Sequence, residues 1–483
     1  MRITGTFHLS AKKNPNKPAI VTENEVITYR AWNELVQQTA AAFFSEVPVY
    51  KRVALFLPNN RLFLQLFAGA SFAGWASIVG DMRWKEQEIK ERLDQTKPDL
   101  IIADEKMKPT LDKLPLRVIY SDEFEKWIHP DIDLPMVEAE NEAPFYIGFT
   151  SGSTGKPKAF VRSHTSWVES FRCNQADLGM TEDEHVLIPG SFVNSTFLYG
   201  ALSTLFLGGT IYVLAKFSPA RIMEFLHLYP ITTVYVVPTM IQGLLTEGCR
   251  DEQTITFIST GAKWLPLTKE QMRFHFPNAR FYEFYGTSEL SFVTVLKSNE
   301  QRQYAASVGR PFHNVEICIR GKNGPAPAGE EGLLYVKSKM IFDGYIDNEE
   351  ETKKVLQGEW ATVYDMAKVD EEGYLYILGR QNDMILYGGT NIYPQEIEEA
   401  LKKCPGVEEA VVFGIKDEYW GQKPVACIKG EVSIPSIKHY CLQTLPAYKI
   451  PRVFRKVENF TYTTGGKISR QELRKLFEQG VLK

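Results

Sequence analysis

Short apolar runs alternate with helical patterns along most of this chain, and that alternation limits its fold more than any other feature. Strand-like runs lie at 53–57, 100–103 and 118–120, and again at 186–188, 210–214 and 233–237. Between them, 30–44 carries Leu35, Val36, Ala40 and Phe43 on one face, the spacing of an amphipathic helix. Segment 219–228 reads as a further helix, and 197–206 as a buried one. Parallel strands need long crossovers, which helices supply, so the pattern predicts α/β layers with largely parallel sheets. Only 18–21 and 26–29, flanking a polar turn, read as a hairpin. The runs fall into two sets, which predicts two α/β subdomains.

Between the two sets lies Thr150-Ser151-Gly152-Ser153-Thr154-Gly155-Lys156-Pro157-Lys158. It follows a strand-like run at 145–149 and leads into another at 159–161. Its glycines let the backbone turn N–H groups inward as an anion nest, its hydroxyls donate, and its lysines neutralise charge. Such a loop suits a polyphosphate. It is not a Walker A loop: only Ser153 and Thr154 separate the glycines, Pro157 follows Lys156, and a strand rather than a helix comes next.

Composition excludes several classes. A formal charge of −4 over 483 residues leaves no basic footprint for nucleic acid or an anionic membrane. Six cysteines with no Cys-x-x-Cys read as free thiols, which suits a cytoplasmic protein. The first ten residues lack the apolar core of a signal peptide. The uncharged stretch 62–80 contains Gln65, Ser71 and Ser77 and divides into a buried helix, to 73, and a strand, 75–79, so no membrane span is expected. None of the eight histidines falls in a Ser/His/Asp or His-x-x-x-His arrangement; His164, just beyond the loop, reads with the rest as structural or surface.

From 308 to 335 the texture becomes β-rich, with a Gly324-Pro325-Ala326-Pro327 turn. A strong strand at 374–378 ends at Gly379-Arg380-Gln381-Asn382-Asp383. Beyond it, strands at 410–413 and 425–429 and helices at 395–403 and 472–479 suffice for a small separate domain. The expected division is 1–380 and 381–483, hinged at Gln381 or Asn382.

Four further stretches follow in order: Tyr282-Glu283-Phe284-Tyr285-Gly286-Thr287-Ser288-Glu289, Trp360 to Asp365, Tyr387-Gly388-Gly389-Thr390-Asn391-Ile392-Tyr393-Pro394, and Gly465-Gly466-Lys467-Ile468-Ser469-Arg470. With the loop at 150–158, they resemble the core motifs of the adenylate-forming (ANL) superfamily, most closely its stand-alone AMP-forming acyl-CoA ligases. The resemblance runs from Asn14 to the C-terminus. It implies a large N-terminal domain of α/β subdomains with a β-rich subdomain, and a small mobile α+β C-terminal domain. It also implies ATP, Mg²⁺ and coenzyme A. A carboxylate is joined to the α-phosphate of ATP, pyrophosphate leaves, and the acyl group passes to a thiol.

The resemblance assigns roles residue by residue. Thr150, Ser151, Gly152, Ser153, Thr154, Gly155 and Lys158 would hold the β- and γ-phosphates. Glu289, with Thr154, would bind Mg²⁺, a hard cation that prefers oxygen. Tyr285 would stack on adenine beside the backbone of Gly261 and Ala262, with Glu283, Phe284, Gly286 and Thr287 in the same stretch. Ser288, where the family usually has Thr, brings a hydroxyl to the α-phosphate. Asp365 would accept from the ribose hydroxyls, with Arg380 nearby; the usual Thr-Gly before that Asp is here Val363-Tyr364. Lys467 is the expected catalytic residue, its ammonium bridging acyl oxygen and α-phosphate, although the usual leading Pro is Thr461. Gly388 and Gly389 would line the pantetheine tunnel.

Pro189-Gly190-Ser191-Phe192-Val193-Asn194 resembles the segment that walls the carboxylate pocket, and Trp264 and Phe197 are further lining candidates. In members that activate amino acids an Asp after the aromatic pairs with the substrate ammonium. Here Val193 holds that position, and an unpaired buried ammonium is costly. A fatty or aromatic acid fits better. Coenzyme A is the favoured acceptor, because Leu445 to Pro451 resembles stand-alone ligases. An acyl carrier protein is the alternative, and from another class a degenerate nucleotide-binding protein; monomer and homodimer both remain open.

Overall fold

The computed structural model describes residues 1–128, 141–150, 157–261, 263–264, 266–387, 390–462 and 468–482. The chain divides into two compact units, one of residues 1–316 and 336–361, the other of 317–335 and 362–483.

Two sheets with parallel centres build the first unit. One has the order Gly344–Tyr345, Lys158–Ser163, Pro144–Thr150, Ala76–Val79, Arg52–Phe56, Leu100–Ala103, Val118–Tyr120, parallel from Pro144–Thr150 onward. The other has nine strands: Arg310–Pro311, Ser291–Leu296, Arg280–Thr287, Thr256–Ser259, Thr233–Val236, His185–Ile188, Thr210–Val213, Pro18–Val21, Val26–Thr28. The six from Arg280–Thr287 to Pro18–Val21 are parallel. Four of them, Thr256–Ser259, Thr233–Val236, His185–Ile188 and Thr210–Val213, are mostly β-branched or aromatic and buried on both faces, as parallel strands covered by helices should be.

The expected helices form, with ends set by local chemistry. Helix Tyr29–Ser45 begins where Thr28 accepts from the Ala31 N–H at 3.3 Å. Helix Arg61–Phe72 begins where Asn60 accepts from the Phe63 N–H at 3.1 Å. After it comes strand Ala76–Val79, so 62–80 is one helix and one strand. Among the described residues no helix is long and apolar enough to cross a membrane. All six cysteines are free.

The second unit is mostly antiparallel. Asp365–Val369 pairs with Leu375–Arg380 and, through Ala367 and Met366, with Gly332 and Leu333. A five-stranded sheet follows, built on the long hairpin Val407–Asp417 and Gly421–Gly430. Helices Pro394–Leu401 and Ile434–Thr444 close one core, with Ile397, Leu401, Val412, Ile428 and Ile437 inside. Helix Arg470–Glu478 seats Leu473 in a second, with Val411, Phe413 and Val425.

Candidate active site

Three expected site segments lie at the same end of parallel strands of the nine-stranded sheet. Phe192 follows His185–Ile188, Gly261 follows Thr256–Ser259, and Tyr285 lies in the last turn of residues of Arg280–Thr287. These strands are parallel, so all three segments sit at carboxyl ends, the edge where open α/β sheets bind ligands.

The phosphate-loop segment is held at both ends. Thr150 and Lys158 face each other as the last pair of an antiparallel ladder that also pairs Gly148 with Phe160. Ser151, Gly152, Ser153, Thr154 and Gly155 lie outside the described residues, as do Ala262, Gly388, Gly389 and Lys467. The Lys158 ammonium forms an ion pair with Glu351, a partner no sequence motif signals. Glu351 is also held by Lys354 at 2.7 Å, and these two lysines depress its carboxyl below the usual range.

Glu289 is buried, and its Oε1 accepts from the Tyr345 hydroxyl at 2.8 Å. The same tyrosine ring has the Lys158 ammonium 5.2 Å from its centre. Tyr345 therefore joins the expected phosphate lysine to the expected metal carboxylate. Arg162, 2% exposed, secures the turn before Glu289 by donating to the Ser288 carbonyl at 2.9 Å and the Met340 carbonyl at 2.6 Å. Burial pulls its guanidinium down to about 10, yet it stays charged at neutral pH. Neither Tyr345 nor Arg162 could be found from sequence, since each acts on residues more than fifty positions away.

Gly286 is required by close approach. A Cβ there would lie 1.9 Å from the Ser291 carbonyl oxygen, which is backbone of the paired strand and cannot move aside. Gly286→Ala is expected to destabilise by on the order of 1–3 kcal/mol. Gly321→Ala, whose Cβ would meet nothing nearer than 3.8 Å, should be close to neutral. Denaturant midpoints of the two variants check this.

Glu283, in the same stretch, is buried. The Glu283 carboxylate pairs with Lys269 at 2.6 Å and accepts from the Trp264 N–H at 3.0 Å and Gln301 at 2.9 Å. Trp264, 2% exposed, donates its ring N–H to Ser259 Oγ at 2.8 Å. Phe192 is 1% exposed, its ring centre 5.4 Å from that of Phe63, while Val193 is half-buried. Asn59 fixes this segment: it accepts from the Phe192 N–H at 2.9 Å and donates to the carbonyls of Gly190 and Leu214. Asn59 leaves a strand of the other sheet, so this tie too was invisible in sequence.

In the second unit Asp365 and Arg380 lie directly opposite in their ladder and pair at 3.3 Å, the carboxylate buried and the guanidinium half-exposed. Tyr364 before it has φ +63°, the left-handed region that glycine occupies freely. The Tyr364 N–H donates to Thr362 Oγ1 and its carbonyl accepts from the Gln381 N–H at 2.8 Å, which holds the conformation. The loop carrying Lys467 has a described base. Tyr462 and Ile468 form a β-bridge, and Arg470 ties the far side to Glu398 at 2.7 Å and Asp383 at 2.8 Å.

His164 is structural. Its Nδ1 accepts from the Ile3 N–H at 3.3 Å, its ring stacks on Phe145, and burial drives its pKa down to about 3. An unfolded histidine titrates near 6.5. Between those values only the unfolded chain takes up the proton, so stability falls as pH drops, by up to about 1.4 kcal/mol per pH unit from this group. His164→Asn should show a shallower dependence of unfolding free energy on pH between about 4 and 6.

Family models match across the chain: AMP-binding enzyme over residues 7–346 and AMP-binding enzyme C-terminal domain over 396–467. A Bacillus subtilis (strain 168) protein named uncharacterized acyl-CoA ligase YhfT is 45% identical over 482 residues, covering 100% of this chain and 99% of its own. A Staphylococcus epidermidis protein provisionally named long chain fatty acid-CoA ligase VraA is 30% identical over 473 residues, 97% of each. Among solved structures, Bacillus subtilis o-succinylbenzoate CoA synthetase (MenE) with the acyl-adenylate intermediate OSB-AMP superposes with a TM-score of 0.89 over 97% of each chain, at 24% identity, a likeness of fold.

Proposed function

The chain belongs to the AMP-binding (adenylate-forming) enzyme family, and from that premise we propose that it is an acyl-CoA ligase that activates a fatty or aromatic carboxylic acid with ATP. The observation that carries the proposal is Tyr345, which holds Glu289 by a 2.8 Å hydrogen bond and has the Lys158 ammonium over its ring. A carboxylate oxygen and a lysine fixed on one side chain suit a metal-bound polyphosphate. The donor set fits Mg²⁺: Glu289, with Thr154, would hold it, and when bound it neutralises phosphate charge.

The chain's own residues then do the following. Lys158 exchanges Glu351 for the β- and γ-phosphates, and Ser288 presents a hydroxyl to the α-phosphate. Gly261 and Tyr285 receive the adenine, and Asp365 accepts from the ribose hydroxyls. The substrate carboxylate oxygen attacks the α-phosphorus, the bond to the bridging oxygen breaks, and pyrophosphate leaves. Lys467 neutralises the charge that grows between acyl oxygen and phosphate. In the second half the CoA sulfur attacks the acyl carbon, AMP departs, and the thiol proton is released. The domains proposed are 1–380 and 381–483. The turn Gln381–Asp383 is the proposed pivot: Arg470 holds Asp383, while Gln381 and Asn382 are exposed.

For the acid, Val193 offers no counter-charge to an α-ammonium, and the resemblance would make Phe192 and Trp264, both packed into the core, the inner walls of the pocket. The relatives' names include a long chain fatty acid-CoA ligase and a 2-succinylbenzoate-CoA ligase, both consistent with such walls. Carboxylate-dependent ATP–pyrophosphate exchange over fatty, aryl and amino acids, followed by CoA, tests the proposal. Exchange with one fatty or aryl class and conversion to its CoA thioester is the expected result. Exchange with amino acids alone, or thioester formed only on a carrier protein, would overturn it.

A further inference from the structure

We propose that Cys173, Asp177 and His313 form a binding site for a divalent cation of the zinc class, distinct from the nucleotide site. Cys173 and Asp177 are four positions apart at the end of helix His164–Ala176, so both project from one face, one turn apart. His313 comes from the turn after Arg310–Pro311. One sulfur, one carboxylate oxygen and one ring nitrogen from the three all lie within 4.8 Å of one another.

The geometry needs little adjustment to take an ion. Zinc bonds of about 2.0–2.3 Å place tetrahedral ligand atoms roughly 3.3–3.8 Å apart. His313 Nδ1 and Asp177 Oδ2 are 2.8 Å apart and need only separate slightly. The Cys173 thiol is buried and donates to Asn314 Oδ1 at 3.1 Å, with Met340 Sδ at 3.7 Å. The His313 side chain is 45% exposed and that of Asp177 15%, which opens a path from solvent.

Thiolate, imidazole and carboxylate together, beside a thioether, favour a borderline cation over Mg²⁺, which wants oxygen alone. Charge balances as well: thiolate and carboxylate cancel a double positive charge, so a neutral complex sits at a mostly buried place. On binding, the sulfur–hydrogen bond is exchanged for a sulfur–metal bond and the proton goes to solvent. The bound ion would clamp the turn at 312–314 to the helix end. That contact now rests on His313 Nδ1 with Asp177 Oδ2 at 2.8 Å, the Cys173 thiol to Asn314 Oδ1 at 3.1 Å, and two longer bonds, the His313 N–H to Asp177 Oδ1 and Asn314 to the Glu169 carbonyl, each at 3.3 Å.

The test uses the full chain, stripped with a chelator, and Zn²⁺ competed against a chromophoric indicator. One equivalent should leave the indicator, excess Mg²⁺ should not displace it, and Co²⁺ should give thiolate charge-transfer absorption. His313→Asn, at an exposed position, and Asp177→Asn, at a half-buried one, should each weaken binding by about 10–100-fold, and Cys173→Ser should abolish the cobalt band. No transfer of zinc from the indicator would overturn the proposal. So would wild-type affinity in both His313→Asn and Asp177→Asn, which would put the metal elsewhere; these two decide the matter even if Cys173→Ser fails to fold.

Discussion

Glu289→Gln is expected to lower carboxylate-dependent pyrophosphate exchange by on the order of 10²-fold, the equivalent of about 3 kcal/mol in the transition state. The substitution is nearly isosteric, and the amide oxygen can still accept from Tyr345, so the hairpin should keep its place and the melting temperature should barely move. What disappears is the charge that would compete for a hard cation. Part of the loss should therefore return as Mg²⁺ is raised, a recovery that a merely structural carboxylate would not show. Tyr345→Phe removes the 2.8 Å hydrogen bond to Glu289 and should cost several-fold, mostly in the Mg²⁺ requirement. Wild-type exchange in Glu289→Gln at every Mg²⁺ concentration would remove this residue from the site.

Lys467→Ala should cut adenylate formation by about 10²–10³ while sparing thioester formation from a pre-formed acyl-adenylate. The asymmetry is the informative part. If the ammonium serves the charge developing between acyl oxygen and phosphate, the second half-reaction does not need it. The loop is anchored by residues outside position 467. Its base is closed by the Tyr462–Ile468 bridge, and Arg470 is anchored to Glu398 and Asp383 independently of position 467. Single-turnover assays of each half-reaction read the split. Equal losses in both halves would mean that the lysine holds the domain rather than the chemistry.

The α/β architecture was legible because parallel strands buried on both faces must be largely apolar, as 186–188 and 234–237 are. Element ends moved by a residue or two where caps such as Thr28 and Asn60 decide them. The site was legible only where its chemistry is local. A glycine-rich stretch or Tyr-Gly-Thr-Ser-Glu can be read from neighbours in the chain. Asn59, Arg162, Tyr345 and Glu351 cannot, because each acts on residues more than fifty positions away, and the sequence carries no record of what faces what. The Val363-Tyr364 departure is a different case. Tyr364 adopts the left-handed backbone that a glycine would take freely, at a strain of about 1 kcal/mol or more. Its hydrogen bonds to Thr362 and Gln381 hold it there.

The Lys158–Glu351–Lys354 arrangement changes how nucleotide capture should be counted. A lysine waiting in water would have to shed its hydration each time a phosphate arrived. Lys158 is already mostly buried, its charge already matched by Glu351, so under its proposed role the arrival of phosphate is a swap of one anion for another. The displaced carboxylate is not stranded, because Lys354 keeps hold of it. A swap of this kind releases an anion as it binds one, so ATP affinity should respond to added salt less steeply than the charge on the triphosphate suggests.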